Sequence, residues 1–390
     1  MKVESVDAFY LRMPEVRDIG DGSQDALLIR VRAGGFTGWG ECEASPLPTI
    51  AALVAPISHS ACKPVLDSVL GANLDGPADI GAIHRRVKES SLDLLQADHA
   101  LSGIDIALWD LVGKRQGTPV WSFFGSENHS RVAYASSLFG EDPADTYERA
   151  RSIRNGLFRA AKFGWGPIGR GSLAEDIAHV GAARDGLGPD RVLLVDTGCI
   201  FGHDVPRALA LAPVLEDNHV WWWEEPFATG ALREYAELAA KTRIPLAGGE
   251  GCHSADQARH VIEYGRVSFI QIDTGRIGGI SAAREVAEYA KERGVQYVNH
   301  TFTSPLALSA SLQPYADDPN SLFAEVPYSP SELALLIGQE LPINDEGQVT
   351  APPGPGLGMN IETSPLSPYL QEVEIRVDGR VLWESRGFED

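Results

Sequence analysis

From about residue 130 to 330 the chain alternates short apolar runs with helix-like segments at a nearly constant interval, and this restricts the fold more than any other feature. The runs Val192–Val195, Val220–Trp223, Ile244–Ala247 and Phe269–Ile272 lead to Asp196, Glu224, Glu250 and Asp273, at intervals of 28, 26 and 23 residues, and the next run ends in His300, 27 residues on. Such an interval holds one strand, one helix and their loops. Candidate strands at 131–136, 157–162, 191–196, 220–224, 244–249, 268–273, 295–300 and 321–326 make eight, with helix-like segments such as 206–216, 230–241, 254–264 and 280–293 between them. Eight parallel strands with outer helices close into a barrel, whose chemistry collects at the C-terminal ends of the strands. An open doubly wound sheet is the rival fold, but it gives no reason for a functional side chain at the end of every strand. The expected class is therefore α/β, a modified (β/α)8 barrel.

The flanks read differently. Residues 1–128 open with strand-like stretches, Val3–Leu11, Ala26–Arg32 and Phe36–Glu41, the last two joined at Gly34-Gly35 as a hairpin. A helical pattern follows over Ala100–Val112, ended by Gly117 and Pro119. This is expected to be an α+β capping domain. Residues 129–338 form the barrel. Residues 339–390, Pro- and Gly-rich at Ala351–Gly356 and strand-like from Glu372 to Val377, are expected to return to the capping domain.

Composition narrows the function classes. No apolar stretch is long enough to span a bilayer, and the first residues lack the basic-then-apolar pattern of a secretory signal. Cys42, Cys62, Cys199 and Cys252 are scattered without a CxxC, as free thiols of a reducing, cytoplasmic setting are. A net charge of −21 argues against nucleic acid or an anionic membrane as partner. If the substrate is itself an anion, the site needs a local positive field, which a bound metal ion can supply.

Asp196, Glu224 and Glu250 offer only oxygen ligands, a set suited to Mg²⁺ or Mn²⁺ rather than zinc or copper. Glu225 follows Glu224 in WWWEEP and must point the other way on the strand, supporting the ligands from outside. Asp273 and His300 close adjacent strands, where a carboxylate can orient an imidazole and raise its basicity for proton transfer. Lys162 closes the second strand as a candidate second base or an electrostatic clamp on substrate. Glu325, on the eighth strand, can give a proton or hydrogen bond to developing charge. Trp165, His203, Arg276 and Thr303 are candidate substrate contacts from the barrel loops. GRIGG at Gly275–Gly279 lacks the full spacing of a phosphate loop and reads as a tight turn into a helix.

As a set, SGIDIALWDLVGKRQGTPVWSFFG, VDTG, WWWEEP, AGGEG, QIDTGRIGG and VNHTF resemble the enolase superfamily, and within it the mandelate racemase-like subgroup, over nearly the whole chain. The resemblance implies Mg²⁺ on Asp196, Glu224 and Glu250, an Asp273–His300 dyad on one face of the substrate and Lys162 on the other. It also implies capping loops, here near 15–25 and 43–50, that close over the substrate, and a homo-oligomer. Two departures narrow the choice. Asp273-Thr274-Gly275-Arg276 stands where muconate-cycloisomerase-like members carry a lysine after the sixth strand. Ala160-Ala161-Lys162 lacks the first lysine of the Lys-x-Lys pattern, the partner that depresses the pKa of the second.

The expected reaction is Mg-dependent removal of the α-proton of a sugar acid followed by loss of its 3-hydroxyl, giving a 2-keto-3-deoxy acid. The enediolate intermediate is stabilised electrostatically. A racemase, epimerase or lactone cycloisomerase would use the same residues with a different fate for that intermediate. A Schiff-base aldolase through Lys162, or a silent acid-sugar binding protein, are more distant alternatives.

Overall fold

In the computed structural model, which describes residues 1–20 and 22–389, the parallel strands form one nearly closed barrel. Its strands are β4 (Arg131–Leu138), β5 (Ala160–Gly164), β6 (Val192–Asp196), β7 (Val220–Glu224), β8 (Leu246–Gly248), β9 (Phe269–Asp273), β10 (Gln296–His300) and β11 (Phe323–Pro327). Backbone pairing runs unbroken from β10 back through β4 to β11. Before them an antiparallel sheet, β1 (Val3–Arg12), β2 (Asp25–Ala33) and β3 (Phe36–Cys42), packs on the helix Ala97–Gln116.

The strand sequences explain the barrel interior. Tyr134, Ala160, Leu194, Trp222, Ala247, Phe269, Val298 and Phe323, one from each strand, form a single apolar plug. Side chains alternate along a strand, so the next inward position lies two residues on. There the chain places Ser136, Lys162, Asp196, Glu224, Gln271, His300 and Glu325, all buried. A polar, mostly ionisable layer thus stands on a hydrocarbon floor. Helices after the strands start promptly because their N-cap side chains, Asp142, Ser172, Asp204, Ser254 and Ser304, each accept the N–H three residues on.

The seam between β10 and β11 is closed by a side chain. Asn299 Oδ1 accepts from the Glu325 amide at 3.0 Å while Asn299 Nδ2 donates to the Glu325 carbonyl at 3.1 Å, so the carboxamide does the work of a peptide group. Its remaining donor and acceptor capacity goes to Thr301 Oγ1 at 3.0 Å and the Tyr315 hydroxyl at 2.8 Å.

The strand expected at 157–162 lies instead at Ala160–Gly164. Lys162 therefore does not close the strand: it pairs in register with Leu194, and Gly164 pairs with Asp196. Phe158, apolar like a strand residue, packs instead at the margin of the barrel core.

At the C-terminal end, β12 (Gln348–Val349) pairs with β4 of the barrel. The chain then crosses to the first domain: Gln371 donates to the Tyr10 carbonyl, Phe388 stacks on Phe9 with centroids 4.3 Å apart, and Arg30 donates to the Phe388 carbonyl at 2.6 Å. The piece near Glu372 is one arm of a hairpin, β13 (Glu374–Val377) with β14 (Arg380–Glu384). GRIGG is a tight turn: Gly279 has φ of 87°, and a Cβ there would lie 2.4 Å from the Asp105 Cβ of the long capping-domain helix. Asp105 in turn accepts from the Ser281 amide at 2.9 Å, joining the two domains. No helix among the described residues is long and apolar enough to cross a membrane.

Candidate active site

At the C-terminal mouth of the barrel a cavity of about 300 Å³ is lined by Lys162, Asp196, Glu250, Arg276 and His300 of the barrel and by Ile19, Gly20, Gly22 and Glu43 of the first domain. Ser136, Ser137 and Leu138 at the end of β4, with Gly164, Trp165 and Phe302, complete the wall.

The dyad is formed. His300 Nδ1 lies 2.7 Å from Asp273 Oδ2, while Asp273 Oδ1 accepts from the Gly275 amide at 2.8 Å. His300 Nε2 faces Glu250 Oε2 at 3.3 Å. Burial alone would lower the imidazole pKa, but Glu250, Glu325 and Asp273 outweigh it and raise it to about 10. Asp273, despite burial, is held below the usual carboxylate range by the His300 bond and the charges of His300 and Arg276.

Lys162 occupies the centre of the carboxylate layer. Its Nζ lies 2.5 Å from Glu224 Oε1 and 2.7 Å from Glu325 Oε1. Burial disfavours its charge, yet these carboxylates push the ammonium pKa well above its ordinary value. Ala160, in place of a second lysine, sits in the apolar plug, and the Lys162 ammonium lies 5.7 Å from the Tyr134 ring centroid.

Glu224 is fully enclosed. Trp222 Nε1 donates to its Oε2 at 3.1 Å. Burial, against the lowering charge of Lys162 and with the repulsion of Asp196 and Glu250, raises its pKa to about 8, and burial raises Asp196 to about 6. Glu225 points out of the cavity beside Cys199, whose Sγ lies 3.5 Å from Glu225 Oε2, and burial, with the charges of Glu250, Asp196 and Glu224, pushes its pKa well above the ordinary carboxylate value.

Asp196, Glu224 and Glu250 are therefore chemically fitted to a hard divalent cation: all donors are oxygen, and crowded buried carboxylates repel one another. Glu250 Oε2 is buried without a hydrogen bond. Among the described residues no group of three or more acidic, His or Cys side chains already stands as it would around a metal. Lys162 holds Glu224 Oε1. A cation bound through Glu224 would share that carboxylate with the Lys162 ammonium on Oε1 and the Trp222 indole on Oε2.

The remaining candidates divide. Trp165 lines the cavity. Arg276 lines it too, but its Nε and Nη2 bind Glu43 Oε2 at 3.0 and 2.6 Å and its Nη1 donates to the Glu250 carbonyl at 2.9 Å. Glu325 lies beneath the cavity, fully buried, with Oε2 accepting from the Thr301 amide at 2.7 Å. Thr303 is buried beside a separate apolar groove, and His203 lies out on the surface with Glu234. The sequence reading did not single out Ser136, Ser137, Leu138 and Phe302, although Ser136 and Ser137 lie near the end of their strand, where the acids sit on theirs. All four cysteines are free.

With this geometry established, comparison with known proteins is informative. Residues 145–364 match the enolase C-terminal domain-like family, and residues 14–125 match the N-terminal domain of mandelate racemase and muconate lactonizing enzyme. The chain is 32% identical over 286 residues to a D-galactarolactone cycloisomerase of Agrobacterium fabrum, covering 69% of this chain and 73% of that one. It is 28% identical over 273 residues to an arabinonate dehydratase of Saccharolobus solfataricus, covering 69% and 71%. The crystal structure of a predicted mandelate racemase from Rhodobacter sphaeroides superposes with a TM-score of 0.94 at 54% identity, over 99% of both chains. A racemase from Streptomyces coelicolor with bound magnesium superposes with a TM-score of 0.80 at 25% identity, over 95% of this chain and 100% of that one.

Proposed function

Because the chain belongs to the enolase superfamily, in its mandelate racemase and muconate lactonizing enzyme branch, we propose that it is a sugar-acid dehydratase that converts an acid sugar to its 2-keto-3-deoxy acid. The observation that carries the reading is the dyad: an imidazole oriented by Asp273, with its other nitrogen turned to the carboxylate cluster at the cavity wall. The dehydratase and cycloisomerase activities of the relatives support an acid-sugar substrate. Asp196, Glu224 and Glu250 would hold Mg²⁺, which when bound neutralises charge on the substrate carboxylate and acidifies the α-hydrogen.

The charge of Glu250 is the chief cause that raises the His300 pKa. With that charge taken up by a bound cation, His300 as neutral imidazole would take the α-proton at Nε2, and Asp273 would stabilise the imidazolium through Nδ1. The same imidazolium returns the proton to the departing 3-hydroxyl. The C–H electron pair becomes the C=C bond, the C–O pair leaves as water, and the enol relaxes to the ketone. One group serving both steps favours elimination from one face. Lys162, held charged by Glu224 and Glu325, stabilises negative charge on the substrate rather than removing a proton.

The test is proton NMR in D₂O with Mg²⁺ across a panel of acid sugars. A 2-keto-3-deoxy product supports the reading. Exchange of the α-proton without loss of water refutes dehydration and indicates a racemase or epimerase. Lys162→Arg separates its two roles: an electrostatic clamp keeps substantial turnover, whereas a base loses it.

A further inference from the structure

We propose that the acid taken by this site carries a single carboxylate and an uncharged far end, so that aldonic acids and their terminally deoxygenated analogues are selected over aldaric diacids. The inference deepens the acid-sugar reading and rests on it. Among the described residues lining the cavity the cationic side chains are Lys162, Arg276 and His300. Each is already engaged: Lys162 by Glu224 and Glu325, His300 by Asp273, and Arg276 by Glu43.

Arg276 decides the matter, since it is the cation that a second substrate carboxylate would need. Each nitrogen of its guanidinium already donates one hydrogen bond, two of them to Glu43, and the Arg276 and Glu43 side chains are only 18% and 11% exposed. A diacid would have to displace Glu43 from this enclosed pair and leave that carboxylate unpaired in a low-dielectric wall. The chain's net charge of −21 adds to the penalty for a second negative charge.

The wall that reaches solvent is instead hydrocarbon. Ile19 is 49% and Trp165 39% exposed, with Leu138 and Phe302 half-buried beside the cavity. Trp165 is held there against its backbone preference, at a φ of 56°. Its indole is fixed between two glycines: a Cβ on Gly20 or Gly198 would stand 3.0 or 3.1 Å from ring carbons. A rigid indole face suits the C–H side of an uncharged polyol chain.

The test uses the Mg²⁺-loaded enzyme and acid pairs differing only at the last carbon, gluconate with glucarate and galactonate with galactarate, plus a terminally deoxygenated aldonate. Pairs that turn over are compared by kcat/KM; pairs that do not are compared by Kd from calorimetry. The expected result is at least a hundredfold preference for the monoacid. A diacid within tenfold of its partner, or ahead of it, overturns the proposal. Exchange or isomerisation without water loss, with the monoacid preference intact, leaves the proposal standing and refutes only dehydration. No binding of any acid removes the proposal together with the acid-sugar reading. Glu43→Gln frees Arg276 and should narrow the monoacid preference at least tenfold; an unchanged ratio overturns the role given to that pair.

Discussion

Replacing Asn299 by Ala should open the barrel at its one side-chain-closed seam. The carboxamide satisfies the amide and carbonyl of Glu325 at 3.0 and 3.1 Å, where backbone pairing between β10 and β11 is missing. Tyr315 keeps a partner in the Phe323 carbonyl at 3.3 Å, so its hydroxyl is not stranded. The cost is then set by two buried main-chain groups left without partners, at about 1–3 kcal/mol each, or about 2–6 kcal/mol together. Hydrogen exchange reads this locally. The Glu325 amide should exchange faster by about thirtyfold at the low end of that range, since 1.4 kcal/mol is about tenfold. Asn299→Leu fills similar volume with none of the bonds and should behave like the alanine variant, which separates hydrogen bonding from packing. Activity should fall as well, because Glu325 presents Oε1 to Lys162 at 2.7 Å. If Glu325 exchange and global stability change by less than about 1 kcal/mol in both variants, the carboxamide does not close the seam.

His300→Asn should reduce turnover by about a thousandfold or more, as loss of a general acid–base does, while calorimetry finds Mg²⁺ affinity within a few-fold; turnover within tenfold of wild type would remove the dyad from the mechanism. Glu250→Gln should lower Mg²⁺ affinity strongly, and unchanged affinity by calorimetry would take it out of the ligand set. Glu41, buried beside Asp273, Glu43 and Asp25 and bonded to Ser304, has a pKa raised to about 8 from 4.5, chiefly by burial. Between those values the folded protein holds a proton that the unfolded chain has released, so stability falls as pH rises from about 4.5 to 8. Glu41→Gln should flatten that slope and gain up to about 4 kcal/mol near pH 8, read as Tm against pH; parallel Tm curves for the two proteins would exclude the shift.

The fold was legible because period and chemistry coincide in this chain. Acid-terminated apolar runs at strand-plus-helix spacing indicate a barrel, and the same register delivers Asp196, Glu224, Asp273 and His300 to one end. Lys162 shows where the reading stopped. Sequence alternation could not distinguish a strand ending at Lys162 from one continuing to Gly164, and the difference seats the ammonium among Glu224 and Glu325. Arg276 and His203 looked equivalent as polar loop residues. Only the meeting of two domains engages one with Glu43, a residue 233 positions away, and leaves the other beside Glu234 on the surface. Asn299 carried no signal, since a carboxamide on a buried strand has no periodic signature until the neighbouring strand fails to pair with it.

These particulars bear on one question, which charge Lys162 answers to. A lysine that removes an α-proton at neutral pH must be neutral part of the time, and burial or a neighbouring cation is what drives it there. Here the first lysine of the pair is Ala160, which sits in the hydrocarbon plug, so that source of repulsion is gone. Two carboxylates take its place and push the opposite way. Drawing Glu224 away to a metal would leave Glu325, which Asn299 and Thr301 hold in position. One anionic partner therefore stays with Lys162 in either condition. The seam, through Glu325, thus favours the charged lysine whether or not Glu224 is drawn away, whereas the charge that most raises His300 is that of Glu250, itself a proposed metal ligand. The proposed mechanism therefore gives the proton chemistry to His300, oriented by Asp273.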